Sequence, residues 1–289
     1  MTAEARQALI SGELAGMAYT LGQPQQAPVG ASGIALGRRA GSSLEFREYR
    51  DYQPGDDIRH IDWSAYARSD QLSIKLFREE VTPHLDLVVD NTRSMALENT
   101  AKAAAALSLA AFLAAAAANG GYSHRAWLVG DRLRAVENGA ARPPMWEGID
   151  FGDGSLPAGL TSRQPAWRPR GIRVVISDLF WPGEPSGLLQ PLAEGAATMV
   201  VIQLLAQADV APASGGSVRL LDAETGESHE ILLDTAAVAR YRAALGRHQG
   251  NWARACRQVG GLFLTVVAEK FLADWRLDEL VAAGLLKVS

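Results

Sequence analysis

The chain has 289 residues, of which 48% are hydrophobic and 21% are charged, and its formal net charge is -4. These proportions are typical of a globular protein and exclude a disordered or collagen-like chain. They also exclude a protein-wide positive field, so composition gives no support for nucleic acid or anionic lipid as the main partner.

The N-terminal third predicts a helix, a linker and a small β-rich subdomain. Residues 1 to about 20 favour a short helix, and the segment from Leu21 to Gly33 is rich in Pro, Gly and Gln, as linkers are. The stretches "SLEFREY" and "LSIKLF" then alternate apolar and polar residues, as half-exposed strands do. We therefore expect a helix and linker over 1–33, a charged β-rich subdomain over 34–82 and the main domain over 83–289.

Between those two strands lies the densely charged stretch "REYRDYQPGDDIRHIDW", from Arg47 to Trp63. An enzyme site could use its carboxylates beside His60 for acid–base or metal chemistry. The acidic residues, however, alternate with arginines, which favours a salt-bridge network or a partner-facing surface over catalysis. The candidate partner-binding residues are Asp56, Asp57, Arg59 and Asp62, and the expected anchors to the core are Ile58, Ile61 and Trp63.

One apolar run, "AAAALSLAAFLAAAAA" from Ala103 to Ala118, raises the question of a membrane span. It is shorter than the ~20 strongly apolar residues that a bilayer requires, and alanine is a weak apolar residue but the best helix former. We interpret it as a buried helix. No signal peptide is evident at the N-terminus, and the single cysteine, Cys256, cannot form an intrachain disulfide, so we expect a reducing cytoplasmic location. Cys256 itself is expected to be packed and inert.

From His84 onward, apolar strands alternate with helices. The strands are expected at Leu85–Asp90, in a hairpin around Gly130 and Asp131, at Ile172–Asp178, at Thr198–Leu205, in a second hairpin "SVRLLDAETGESHEILLD" and at "LFLTVVA". A long helix is expected from Thr235 to Val259 and a last helix from Leu277. This order predicts a doubly wound, mostly parallel sheet with one antiparallel edge strand. In such a sheet the functional crevice lies beyond the carboxyl ends of the strands.

Two polar segments follow core strands at the carboxyl ends, where this crevice is expected. The sequence "DNTRSM" puts Asp90, Thr92 and Ser94 on one loop, and Asp178 ends a second core strand in "VVISDLF". Carboxylate and hydroxyl oxygens suit a hard cation such as Mg²⁺. The alternative is that Thr92 or Ser94 simply caps the following helix and that no metal binds.

The motif D-x-[ST]-x-S after a strand, followed by a long helix, a hairpin and a later strand ending in S-D, resembles a von Willebrand factor A domain. The charged stretch continued through "SAYARSDQLSIKLFREE", together with "LLDAETGE", resembles the bacterial domain of unknown function 58 family, over roughly residues 34 to 270. This resemblance implies a metal-ion-dependent adhesion site with Mg²⁺ at Asp90, Thr92, Ser94 and Asp178, and Thr161 is the available match for the middle threonine of such sites.

The resemblance also implies a function, namely a bacterial, cytoplasmic, non-enzymatic interaction module that works with a MoxR-type AAA+ ATPase in the maturation of other proteins. The sequence contains no G-x-x-x-x-G-K-[ST] loop, so ATP hydrolysis is expected of the partner. The alternative is a metal-dependent phosphatase or other hydrolase with Asp90 as nucleophile. That chemistry usually requires a second acid two residues later, where this chain has Thr92.

Overall fold

The computed structural model describes residues 1–22, 44–54, 56, 58–79, 83–152, 154–181, 183–212, 215–223 and 226–289. The chain divides into two compact units, one formed by Met1–Ala27 with Pro83–Ser289 and the other by Pro28–Thr82. The domain boundaries expected between residues 33 and 34 and after 82 fall outside the described residues. The N-terminal helix, which the sequence analysis set apart from the main domain, is part of the larger unit.

In chain order the strands are β1 (Tyr19–Leu21), β2 (Leu44–Asp51), β3 (Ser73–Glu79), β4 (His84–Asp90), β5 (Ser123–Val129), β6 (Leu133–Ala135), β7 (Ile172–Ser177), β8 (Thr198–Leu205), β9 (Gly216–Leu221), β10 (Ser228–Leu233), β11 (Leu262–Val267) and β12 (Leu286–Val288). The α-helices are α1 (Ala3–Gly16), α2 (Trp63–Ser69), α3 (Lys102–Asn119), α4 (Leu156–Thr161), α5 (Ser186–Ala193), α6 (Gln207–Val210), α7 (Thr235–Gln258), α8 (Ala268–Asp274) and α9 (Asp278–Ala282).

The larger unit is built on a six-stranded sheet in the order β11-β8-β7-β4-β5-β6. All neighbours in it are parallel except β6, which pairs with β5 antiparallel. Every residue of β4, β7 and β8 is buried, because helices cover both faces of a parallel sheet and its strands are apolar throughout. The predicted mostly parallel sheet with an antiparallel edge is therefore confirmed as a mixed α/β fold.

The alanine-rich helix α3 lies in the core, between the sheet and α1. A Cβ added at Gly12 would lie 2.1 Å from the backbone oxygen of Ser108, and one at Gly16 would lie 2.3 Å from that of Phe112. Only glycine allows α1 to approach α3 this closely. By length and composition α3 meets the criteria for a membrane span, but 78% of it is buried inside the protein. Its apolar surface is therefore used in packing, as the sequence analysis expected.

The opposite face of the sheet is covered by α4, α5 and α7. Val88, Val175 and Val201 face this side and pack with Trp252 and Cys256 of α7. Strands β9 and β10 form a separate antiparallel hairpin, and β1 pairs with β12 near the two ends of the chain. The predicted second hairpin is thus present, whereas the pairing of β1 with β12 was not anticipated.

In the residues that the structure describes, the smaller unit contains the antiparallel pair β2–β3 with α2 in the connection between the two strands. The segment expected to be β-rich therefore also contains a helix. Ile61 is buried, as expected of an anchor, but Ile58 and Trp63 are 62% and 59% exposed. Within the smaller unit, Ile58 and Trp63 are therefore not buried anchors, contrary to the expectation from the sequence.

Candidate functional site

Two acidic residues stand where neighbouring central strands end. Asp90 is the last residue of β4, and Asp178 directly follows Ser177, the last residue of β7. The chain leaves β4 toward β5 and β6 on one side, and β7 begins the other half of the sheet. In open α/β sheets the ligand crevice lies at such a switch point. The topology therefore brings Asp90 and Asp178 to one crevice, as the sequence analysis predicted.

The loop after β4 holds the Asp90 carboxylate and two hydroxyls close together. Asp90 Oδ1 accepts hydrogen bonds from the Thr92 backbone N–H at 2.9 Å and from the Thr92 hydroxyl at 2.7 Å. A 3-10 turn over Arg93–Ala96 follows at once, and it sets the Ser94 hydroxyl 3.1 Å from that of Thr92. Asp90 and Thr92 are both 1% exposed. Three neighbouring residues of one loop thus contribute oxygen atoms that lie within hydrogen-bond distance of each other in turn, and all three residues line the crevice.

Asp90 is a buried carboxyl whose charge is only partly compensated. Burial raises its pKa to about 6, and the negative charge of Asp178 acts in the same direction. Hydrogen bonds from Ser177, whose Oγ donates to Asp90 Oδ2 at 2.6 Å, and from Thr92 lower the pKa. At neutral pH the group is ionised at a cost in free energy, which a cation in the crevice would offset.

Asp178 is held by groups behind the crevice. Its Oδ1 accepts the Phe180 backbone N–H at 3.1 Å, and its Oδ2 accepts the buried Lys102 ammonium at 2.9 Å. Leu179 adopts a φ of 59°, a left-handed conformation that costs about 1 kcal/mol or more for a bulky residue. This turn carries Phe180 and Trp181 to the crevice wall.

The crevice itself is small, with a volume of about 60 Å³. Organic ligands usually occupy pockets of several hundred Å³, so this space suits an ion with a few oxygen ligands better than a substrate. Its wall consists of Asp90, Thr92, Ser94, Ser155, Leu156, Pro157, Ser177, Asp178, Phe180 and Trp181.

Thr161, the expected middle threonine, is not among these residues. It is the last residue of α4 and exposed, and its hydroxyl donates to the Pro157 carbonyl at 2.7 Å. The first turn of α4 reaches the crevice instead, and Ser155 at the N-cap position provides the hydroxyl there. The local signal for it is a serine just before a helix with proline in its first turn.

The spacing of the oxygen ligands in the Asp90 loop suits Mg²⁺. In octahedral coordination, oxygens about 2.1 Å from the ion lie about 3 Å from each other. The distances of 2.7 Å from Asp90 Oδ1 to Thr92 Oγ1 and 3.1 Å from Thr92 Oγ1 to Ser94 Oγ fit this requirement. Within the described part of the chain no three His, Cys, Asp or Glu side chains come together, so a metal here depends on hydroxyl ligands. The residues fit Mg²⁺, although Lys102 already balances the charge of Asp178.

The charged stretch of the smaller unit has internal partners. Asp56 accepts both the Gln53 backbone N–H at 2.8 Å and the Arg50 guanidinium at 2.9 Å, and these bonds lower the pKa of its carboxyl. Asp62 is buried and caps α2 by accepting the N–H groups of Ser64 and Ala65. Both acids therefore hold the turn together.

The other two candidate partner-binding residues in this stretch are Arg59 and Asp57. Arg59 is exposed, and Asp57 lies outside the described residues. Whether this surface meets a partner stays a prediction.

Comparison with known proteins gives relatives of unknown function. Uncharacterized proteins of Mycobacterium tuberculosis and Mycobacterium bovis are 30% identical over 269 residues, which is 85% of this chain and 80% of theirs. Among solved structures, an aerotolerance-related membrane protein of Bacteroides fragilis matches 66% of this chain and 95% of its own, with 14% identity and a TM-score of 0.39. The conserved hypothetical protein BatB of Bacteroides thetaiotaomicron matches 70% of this chain and 98% of its own, with 10% identity and a TM-score of 0.35.

A family model described as a protein of unknown function, DUF58, matches residues 48–144. That range contains the charged stretch from residue 48 onward, β4, the Asp90 loop and α3. The chain therefore belongs to the DUF58 family of bacterial proteins of unknown function.

Proposed function

We propose that this chain is a non-enzymatic protein-interaction module that binds a partner through a divalent cation held in the crevice. The observation that carries the proposal is the spacing of Asp90 Oδ1, Thr92 Oγ1 and Ser94 Oγ, which suits three neighbouring ligands of Mg²⁺. Such a loop leaves coordination positions on the solvent side. A carboxylate of another protein is the ligand that an exposed Mg²⁺ would take there.

The topology supports the finer assignment of the larger unit as a von Willebrand factor A-like domain. Its strand order and the position of Asp90 at the switch point agree with that resemblance. The adhesion site that the resemblance implies would comprise Asp90, Thr92 and Ser94, with Asp178 behind them and Ser155 in place of the expected Thr161.

We further propose that the partner is a MoxR-type AAA+ ATPase, and that the pair acts in the maturation of other proteins in the cytoplasm. The partner's name comes from the family resemblance. The small crevice and the absence of a phosphate-binding glycine loop from the sequence support a role in binding, with ATP turnover on the partner. Cell fractionation tests the location, and recovery of the protein in washed membranes would contradict it.

Binding is favoured over hydrolysis by the surroundings of Asp90. A nucleophilic carboxylate needs an oxygen that reaches the substrate, but Asp90 is 1% exposed. Thr92 donates to one of its oxygens and Ser177 to the other. These bonds orient the group as a ligand and reduce its nucleophilicity.

The test is a pull-down of the MoxR-type ATPase from the same organism by the immobilised chain, with millimolar Mg²⁺ or with EDTA. We expect capture that depends on Mg²⁺ and is lost in Asp90→Asn, while Cys256→Ser, at a buried position in α7 that is not part of the crevice wall, behaves as wild type. Equal capture in EDTA would remove the cation from the mechanism. Turnover of a phosphate ester by the wild type, abolished in Asp90→Asn, would replace the binding function with the hydrolase.

A further inference from the structure

A buried lysine lies directly behind the crevice. Lys102 is the first residue of α3 and is 1% exposed. Its ammonium group is 2.9 Å from Asp178 Oδ2 and 3.8 Å from Asp209 Oδ2. Buried lysines are rare unless they are paired, and this one has two carboxylates within reach. One of these faces the crevice, and the other belongs to α6.

The pairing matters because Asp178 is also a wall residue of the crevice. With Asp90 and Asp178 ionised and Lys102 protonated, the three groups together carry a single negative charge. A divalent cation entering beside Asp90 would meet a fixed positive charge behind Asp178. In a partly buried site, repulsion between charges a few ångströms apart is large enough to decide affinity.

Asp209 offers Lys102 a second position. Its Oδ2 accepts the Ala206 backbone N–H at 2.8 Å, which fixes the carboxylate at the start of α6, and its side chain is 22% exposed. The lysine stem has four rotatable carbons, so a small rotation exchanges one carboxylate for the other. Lys102 therefore lies between a carboxylate that a cation needs and one that it does not.

We propose that Lys102 is a tethered cation that competes with the divalent cation for Asp178 and moves to Asp209 when the metal binds. This inference rests on the proposed cation site and adds its regulation. In this arrangement Lys102 lowers the affinity for the metal and Asp209 raises it, although both lie outside the set of metal ligands.

The experiment is titration of the full chain with Mn²⁺ by isothermal calorimetry at neutral pH. Lys102→Met removes the competing charge while keeping most of the side-chain volume. We expect this variant to bind Mn²⁺ at least about tenfold more tightly than the wild type does. Asp209→Asn removes the alternative partner, so that Lys102 stays on Asp178, and we expect binding several-fold weaker than in the wild type. A role limited to stability would not move the two affinities in opposite directions.

Lys287→Met is the matched control. Lys287 is exposed on β12 and pairs with Thr20 of β1. The neighbouring Leu21 packs against Gly120, at the C-terminal end of α3, which is roughly 27 Å long and begins at Lys102. This variant loses the same charge far from the crevice, and we expect unchanged affinity.

The outcomes separate this inference from the function on which it rests. If the wild type binds Mn²⁺ and Lys102→Met binds no more tightly, the competition is overturned and the cation site stands. If neither binds at millimolar Mn²⁺, both fail. Binding by Lys102→Met alone supports the competition and removes the wild-type cation site from the proposed function. Should Lys102→Met not fold, Asp209→Asn decides, and unchanged affinity in that variant overturns the inference.

Discussion

Two buried aspartates on the same strand have opposite surroundings. Asp86 and Asp90 are 2% and 1% exposed, and both lie on β4 four residues apart, so their side chains point to the same face of the sheet. Asp86 accepts the Trp127 indole N–H at 2.9 Å and lies 3.3 Å from the His84 ring. Asp90 is bound by the hydroxyls of Thr92 and Ser177 and opens to a crevice.

The difference lies in what the partners can still do. The indole of Trp127 is only a donor and can only hold Asp86 in place. A hydroxyl is both donor and acceptor, so Thr92 can donate to Asp90 and still offer a lone pair to a cation. Burial lowers the pKa of Arg173, and the charge of Asp86 opposes that shift, so Asp86 also serves as a counter-charge. Asp86 is therefore a structural brace, and Asp90 is a potential ligand.

The largest expected effect is that of Asp86→Ala. It leaves the Trp127 indole without its acceptor and Arg173 with Glu194 as its remaining acidic neighbour, and both side chains lie in the core. Breaking such a buried pair typically costs about 3–5 kcal/mol. Urea denaturation should show that loss in the free energy of unfolding, with Mn²⁺ affinity unchanged in the folded protein. A loss below about 1 kcal/mol, or a loss of metal binding, would remove the distinction between the two aspartates.

Asp90→Asn, in contrast, should increase the stability of the protein. It replaces a carboxylate whose pKa is raised to about 6 by burial with a neutral side chain of the same shape. We expect the free energy of unfolding in EDTA at pH 7.5 to rise by about 1–3 kcal/mol. The increase in melting temperature that millimolar Mg²⁺ gives the wild type should be lost. Lower stability in EDTA would mean that the hydrogen bonds outweigh desolvation at this carboxyl.

The same carboxyl gives a pH dependence of known sign. Its folded-state pKa of about 6 exceeds the ordinary value of 3.8, so between these values the folded protein binds more protons than the unfolded chain. The contribution of Asp90 to the free energy of unfolding therefore falls as pH rises from about 4 to about 6 and is constant above that. The difference between wild type and Asp90→Asn, measured by urea denaturation across this range, isolates it. A pH-independent difference would contradict the raised pKa.

Part of this site could be predicted from the sequence. The apolar runs of β4 and β7 identify central strands, and parallel strands end at one edge, so Asp90 and Asp178 had to converge. Lys102 could not be assigned in this way. It precedes an alanine helix and resembles an ordinary helix start, and its partner Asp178 lies 76 residues further along the chain. Only the packing of α3 on the sheet brings the two groups together.

The packing of α1 on α3 and the choice between Thr161 and Ser155 also could not be predicted from local sequence. Gly12 and Gly16 are four residues apart in a helix, but nothing local indicates that they touch Ser108 and Phe112 of α3. The family resemblance implies a threonine as the middle hydroxyl and therefore points to Thr161, whereas the residue that lines the crevice is Ser155, just before α4. Local patterns predict elements and their ends, whereas contacts between distant elements depend on side-chain packing.

The smallest expected effect compares two hydroxyls at the two ends of α4. Ser155 lines the crevice, and within the described residues its side chain does not cap its own helix, so Ser155→Ala removes a ligand oxygen without removing a cap. We expect Mn²⁺ affinity to fall several-fold and the melting temperature in EDTA to change little. Thr161 is exposed and bonded to its own helix, so Thr161→Ala should bind Mn²⁺ as the wild type does. If Thr161→Ala weakens binding and Ser155→Ala does not, the threonine expected from the family resemblance supplies the ligand, and the loop before α4 must rearrange when metal binds.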